Sequence, residues 1–195
     1  MTDDSAPATW VITDGKPGMQ NQCVGLAEAV GLPFAIKKIV VRAPWKWLLP
    51  PLWPSPLRAL SPEGDVLTPP WPRLVIGTGR MSVAPVAAIG AASGGRTFTV
   101  QIQNPGMRRD AFGLIVAPQH DQMRGDNVIS TVGALHRVTP ERLRAEAEVF
   151  APALAHLPRP LVAVLVGGNN RSYRLDAAVA EKLADELTAI CRDHG

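Results

Sequence analysis

Apolar and polar positions along this chain fall into short runs that switch between a period of two and a period near 3.6. Thr9-Trp-Val-Ile-Thr13 reads as a strand, Asp14-Gly-Lys-Pro-Gly18 as a tight turn, and Met19 to Val30 as an amphipathic helix with apolar Cys23, Val24, Leu26, Ala27 and Val30. Gly31-Leu-Pro33 stops that helix, and Phe34 to Val41 alternates and is β-branched enough to be a second strand. The regular pattern then fails. Residues 44 to 72 carry nine prolines and four of the five tryptophans (Trp45, Trp47, Trp53 and Trp71), which leaves room only for short helical turns between breaks.

Alternation resumes at Arg73-Leu-Val-Ile-Gly77, and Thr78-Gly-Arg80 leads into an alanine-rich helix to about Ala92. Thr97 to Ile102 and Phe112 to Ala117 are short, apolar runs of the kind found in buried parallel strands, and Val128 to Val132 reads as a further short strand. Thr139-Pro140-Glu141 opens a helix with a capping threonine, proline at the first helical position and an early acid, and that helix runs to about His156. Leu157-Pro-Arg-Pro160 then separates two expected domains, residues 1–157 and 158–195. Beyond it, Leu161 to Val166 reads as an apolar strand, Gly167 to Ser172 as a polar turn, and Leu175 to Cys191 as a helix. Strands alternating with helices predict an α/β class, with a parallel Rossmann-like sheet and helices on both faces. The last strand and helix would start a second α/β layer, so their apolar side should either join the first sheet or pair with another copy of the chain.

Composition narrows the functional classes. The 195 residues, 46% apolar and 19% charged, suit a folded globular body. Two cysteines, Cys23 and Cys191, are too few for a disulfide framework or a structural zinc site and fit a reducing, cytoplasmic setting. A formal charge of +3 comes from scattered arginines rather than a basic run, which argues against a nucleic-acid partner. The start of the chain is acidic, without the features of a signal peptide, and neither long apolar stretch is free of prolines and charges. No histidine and acid share a metal-ligand spacing, so neither a bound metal nor a cofactor is expected.

In an open parallel sheet the loops that follow strands are where ligands bind. Five such loops are polar or glycine-rich. Asp14, Gly15, Lys16 and Gly18 lie in the first, which has neither the P-loop nor the dinucleotide fingerprint and reads equally as a turn in which Asp14 bonds its own backbone. Gly77, Gly79 and Arg80 stand at a helix start, where free N–H groups and a fixed cation favour an anion, or form a structural turn. Gln103 opens the third loop. His120 beside Asp121 forms a candidate general base with its orienting carboxylate, or a solvated capping pair. His136 reads as a structural histidine. Gly167, Gly168, Asn169 and Arg171 make a second candidate phosphate loop, or a flexible polar turn. The Trp45-Lys-Trp-Leu-Leu49 stretch fits either a weak membrane-surface contact or packing on the sheet.

These motifs also carry a resemblance. Asp14-Gly-Lys-Pro-Gly18 with Asn21-Gln22, Gly77-Thr-Gly-Arg80 with Ala84-Pro85, Val100-Gln-Ile-Gln103, His120-Asp121, Thr131 to Thr139 and Val166-Gly-Gly168 together resemble the mitochondrial-fission elongated-mitochondria family, over residues from about 10 to 190. Bacterial members are often labelled nucleoside-diphosphate-sugar epimerases. The family looks like a two-domain GT-B glycosyltransferase, which implies an acceptor-side N-terminal domain and a nucleotide-sugar-side C-terminal domain. Two departures stand out: Asn104-Pro105 replaces an expected Asp-Pro pair, and the chain ends after one strand and one helix of the second domain. The epimerase label implies a Tyr-x-x-x-Lys pair, whereas Tyr173 is followed at the fourth place by Ala177.

Two functions follow. One is nucleotide-sugar binding with sugar transfer, in which Arg80 and Arg171 neutralise diphosphate and His120 with Asp121 activates an acceptor hydroxyl. The other is a non-catalytic adaptor that uses the Trp/Pro segment to meet a partner or membrane.

Overall fold

The computed structural model describes residues 8–169 and 173–194, with side chains to residue 192. Its chain divides into two compact units between Val138 and Thr139, ahead of the Leu157-Pro160 linker.

The first unit is built on six strands: β1 (Thr9–Thr13), β2 (Phe34–Lys38), β3 (Leu74–Thr78), β4 (Phe98–Ile102), β5 (Leu114–Pro118) and β6 (Val128–Thr131). They form one sheet in the order β2-β1-β3-β4-β5-β6, and every pairing is parallel. Helix α1 (Pro17–Val30) connects β1 to β2 and helix α2 (Arg80–Ala92) connects β3 to β4. Helix α2 starts where the sequence places it, whereas α1 begins at Pro17, two residues ahead of the expected Met19, with proline in its first turn, and Gly31 closes α1 by donating its N–H to the Ala27 and Glu28 carbonyls.

Strand alternation distributes the core over the two faces. Val11, Leu74, Ile76, Val100, Ile102 and Val116 pack with Cys23, Val24 and Ala27 of α1. Trp10, Ile12, Val75, Ile115 and Ala117 pack with Val83, Val86 and Ile89 of α2. The central strands are therefore buried on both sides, which is why β1 and β3 read as almost unbroken apolar runs. The Pro/Trp segment fills the β2 to β3 crossover with three short 3-10 turns, at Trp45–Trp47, Pro50–Leu52 and Pro56–Ala59, as its proline spacing requires. The crossovers from β4 to β5 and from β5 to β6 carry only single 3-10 turns, at Arg109–Ala111 and Gln119–Asp121.

The second unit holds α3 (Pro140–Leu154) and α4 (Ala177–His194). Thr139 caps α3 by accepting the Arg142 N–H at 3.2 Å, as its sequence predicts. Residues 161–169 have no regular secondary structure. The strand expected at Leu161 to Val166 is therefore not formed, and the six-stranded sheet takes no strand from it. The physical reason is that a lone strand has no ladder to satisfy its backbone, and Leu165 in its middle is 98% exposed.

Candidate functional site at the carboxyl edge of the sheet

The strand order reverses between β1 and β3, because the chain leaves β1 toward β2 and then crosses back to β3. The crevice outside the carboxyl ends of those two strands is the position at which open parallel sheets bind ligands. Because all six strands are parallel, the loops after β1, β3, β4 and β5 lie on the same edge. Asp14, Gly79, Arg80, Gln103, His120 and Asp121 are thereby brought to one edge of one sheet.

At the end of β1, Thr13 is fully buried and its Oγ1 accepts the Gly15 N–H at 3.1 Å. Asp14 makes the turn expected of it: Oδ1 accepts the Lys16 N–H at 3.3 Å, and Oδ2 pairs with Lys16 Nζ at 2.6 Å. Lys16 is thus paired and exposed rather than waiting unneutralised for an anion. Gly18 lies in the first turn of α1. The side chain of Lys38, at the carboxyl end of β2, lies directly over Gly15 and adds a second amine to this corner.

At the end of β3, Gly79 precedes α2 with φ 74° and ψ 166°, a conformation essentially reserved for glycine. A Cβ there would stand 2.5 Å from Met19 Cε, so the β3 loop and the first turn of α1 touch. Gly77 faces α2, against Val86 and Ser82. Arg80 spends two donors on the Pro/Trp segment: Nη1 on the Lys46 carbonyl at 2.9 Å and Nη2 on the Leu48 carbonyl at 2.7 Å. Its guanidinium therefore ties that segment to the start of α2.

At the end of β4, Gln103 holds φ 71°, uncommon for a residue with a side chain. Its backbone N–H continues the β5 ladder to the Val116 carbonyl at 2.8 Å, while Nε2 reaches Gln22 Oε1 at 3.4 Å on α1. Beneath it, the buried Gln101 donates through Nε2 to the Ile102 carbonyl at 3.2 Å and to Ser82 Oγ at 3.4 Å. That network fixes the ends of β3 and β4 from below. Thr78, 2% exposed, has a hydroxyl with no hydrogen-bond partner.

At the end of β5, Asp121 Oδ2 accepts the Asn104 N–H at 3.1 Å, joining the β4 and β5 loops. Its other oxygen lies 3.6 Å from His120 Nε2, and the imidazole is 78% exposed. Asn104 Oδ1 in turn accepts the Gly106 N–H at 2.9 Å. So Asn104, standing where a carboxylate was expected, serves a turn. An open groove of about 690 Å³ beside this corner is lined by Gln119, Gln122, Arg124 and Ser130 among others.

The stretch from Thr131 to Thr139 is positioned by α1. Gly25 lets the His136 carbonyl approach so closely that a Cβ would be 2.6 Å from it, and Arg137 makes a two-pronged ion pair with Glu28, at 2.5 and 3.0 Å. His136 Nδ1 accepts the Val138 N–H at 3.2 Å, the structural role its sequence suggests.

The fifth loop belongs to the second unit. Gly167 and Gly168 sit in irregular backbone, and Asn169 Oδ1 accepts the Leu175 N–H at 2.6 Å. Arg171 lies outside the described residues. The start of α4 is capped by Asp176, whose Oδ1 accepts the Val179 N–H at 3.0 Å, so a carboxylate occupies the place an anion would take there.

Sequence reasoning missed Lys38, Met19 and the Ser82–Gln101 pair. No sequence signal marked Lys38, because the expected second strand ran on to Val41 and ends in the structure at Lys38. Among the described residues no group of histidine, cysteine and acidic side chains could hold a metal ion.

A family model described as Mitochondrial fission ELM1 matches residues 17–195. The Mitochondrial fission protein ELM1 of Arabidopsis thaliana is 30% identical over 142 residues, which cover 61% of this chain and 33% of that protein. The matched part is thus about a third of that relative's length. No solved structure matches the chain. The family match takes in the ends of β3, β4 and β5 and the first turn of α1, and leaves out β1 with the Asp14, Gly15 and Lys16 of its loop. This chain belongs to the mitochondrial fission ELM1 family.

Proposed function

We propose that the carboxyl edge of the sheet binds a nucleotide sugar or its acceptor, and that the chain contributes the acceptor side of a GT-B-like, cytoplasmic sugar transfer. The observation that carries this reading is Gln103. A side-chain-bearing residue at positive φ costs on the order of 1 kcal/mol or more, and such strain collects at ligand sites. Here it lies at the switch-point edge, between Gln22 of α1 and the Asp121-anchored loop.

In this reading the exposed His120 imidazole accepts the proton of an acceptor hydroxyl, and Asp121, 3.6 Å from Nε2, supplies the neighbouring negative charge while holding the Asn104 loop. Lys38 and the remaining donors of Arg80 meet diphosphate oxygens across the β1 and β3 ends. Arg80 thus combines the anion role with that of a structural tie.

A thermal-shift series with uridine and guanosine diphosphates at millimolar concentration tests the reading. A ligand at a hundred times its Kd stabilises the folded state by about 2.7 kcal/mol, so a rise of several degrees is expected with at least one of them. Gln103→Gly should raise the ligand-free melting temperature by relieving the strain and reduce the ligand-induced rise. No shift with either nucleotide would overturn the reading.

A further inference from the structure

The Pro/Trp segment has two sides with opposite exposure. Trp45, Leu48 and Trp53 turn inward and pack with Ala59, Ala84 and Met81. Trp53 Nε1 donates to the Leu48 carbonyl at 3.1 Å, and Arg80 grips the Lys46 and Leu48 carbonyls from α2. Held in this way from below, the segment presents Trp47, Leu49 and Leu52 outward at 70%, 63% and 60% exposure. Two leucines and a tryptophan this close together, on a prebuilt support, form an apolar wedge rather than scattered surface residues.

The stretch that carries the wedge is basic, and the nearest acid placed with its arginines is Asp65, in the groove it shares with Arg42 and Arg58. From residue 29 to residue 62 the sequence contains Lys37, Lys38, Arg42, Lys46 and Arg58 and no acidic residue. Lys46 Nζ stands 5.0 Å from the Trp47 ring centre, so a cation and an amphipathic ring project together. Aromatic and aliphatic side chains bordered by lysine and arginine match the layering of a lipid surface, in which anionic headgroups lie over an apolar interior.

We infer that Trp47, Leu49 and Leu52 form a docking wedge that inserts into the headgroup region of an anionic bilayer, with Lys46, Arg42 and Arg58 holding the lipid charge. This surface is separate from the ligand reading at the sheet edge and stands or falls without it. No helix among the described residues is long and apolar enough to cross a membrane, so the contact proposed is peripheral.

Co-sedimentation of the full chain with vesicles tests the assignment. The chain should pellet with vesicles containing phosphatidylglycerol, stay in solution with phosphatidylcholine alone, and be released as salt rises. A Trp47→Ser, Leu49→Ser, Leu52→Ser variant should bind on the order of tenfold or more weakly at an unchanged melting temperature, since these side chains are exposed. Should the triple variant fold poorly, Trp47→Ser alone gives the same direction. The proposal is overturned by a wild-type chain that ignores both vesicle types, by equal binding to neutral vesicles, or by undiminished binding of the serine variants. It is equally overturned if light scattering shows a dimer that the serine variants dissolve, because the wedge would then be covered by a second copy.

Discussion

Arg80 follows β3 directly, and its side chain answers to two neighbours at once. One is the crevice at the strand ends and the other is the backbone of the Pro/Trp segment, whose Lys46 and Leu48 carbonyls it bonds. A planar guanidinium can hold two carbonyls and still present further donors, which an ammonium cannot do with the same geometry. Arg80→Lys should therefore keep the charge but lose the fork, lowering stability by about 1–2 kcal/mol in chemical denaturation. Limited proteolysis should then cut faster between Trp45 and Trp53. Unchanged stability and protection would show that the two bonds do not secure the segment. The sequence offered Arg80 as an anion ligand or as part of a structural turn, and not as a tie to the Pro/Trp segment, since its carbonyl partners lie more than thirty positions away and no local pattern announces them. Asp14 was the opposite case. Its bond to the Lys16 N–H is a two-residue turn, written in the local sequence and formed as written.

At the level of elements, β1, β3, α1 and α2 were legible because each buries a full face, and burial on both sides of a parallel strand leaves an unbroken apolar run. Leu161 to Val166 carries the same signal and forms no strand, since apolar character supplies the side chains of a strand but not the partner that completes its ladder. The edge cluster was legible only as loops after strands. That Lys38 lies over Gly15, or that Met19 meets Gly79, depends on strand order, which periodicity does not encode. The packing of α1 on β3 makes a separate prediction through Cys23. Its thiol is fully buried and its Sγ–H points at the Ile76 carbonyl at 3.9 Å, and burial pushes its pKa well up. Cys191 is exposed. A thiol reagent at neutral pH should accordingly modify one cysteine in the native chain and the second only in denaturant. Rapid reaction of both under native conditions would contradict the packing of α1.

For the whole molecule, the order β2-β1-β3-β4-β5-β6 favours one edge for a ligand, because the reversal between β1 and β3 opens a crevice that parallel topology itself creates. Asp14, Gly79, Gln103 and Asp121, from positions spread over more than half the chain, all follow strands that end on that same edge. Bonds join neighbouring elements along it: Gln103 to Gln22 of α1, and Asp121 to the Asn104 loop. The most direct measurement is therefore a nuclear magnetic resonance titration of the isotope-labelled chain with a nucleoside diphosphate, following backbone amide shifts. The largest shifts should fall on Gly15, Lys38, Gly79, Arg80, Gln103 and His120, at one edge of one sheet. Shifts that cluster instead at the amino ends of the strands, around Phe34, Leu74 and Phe98, would contradict a ligand site at the switch point, as would a spectrum that does not change.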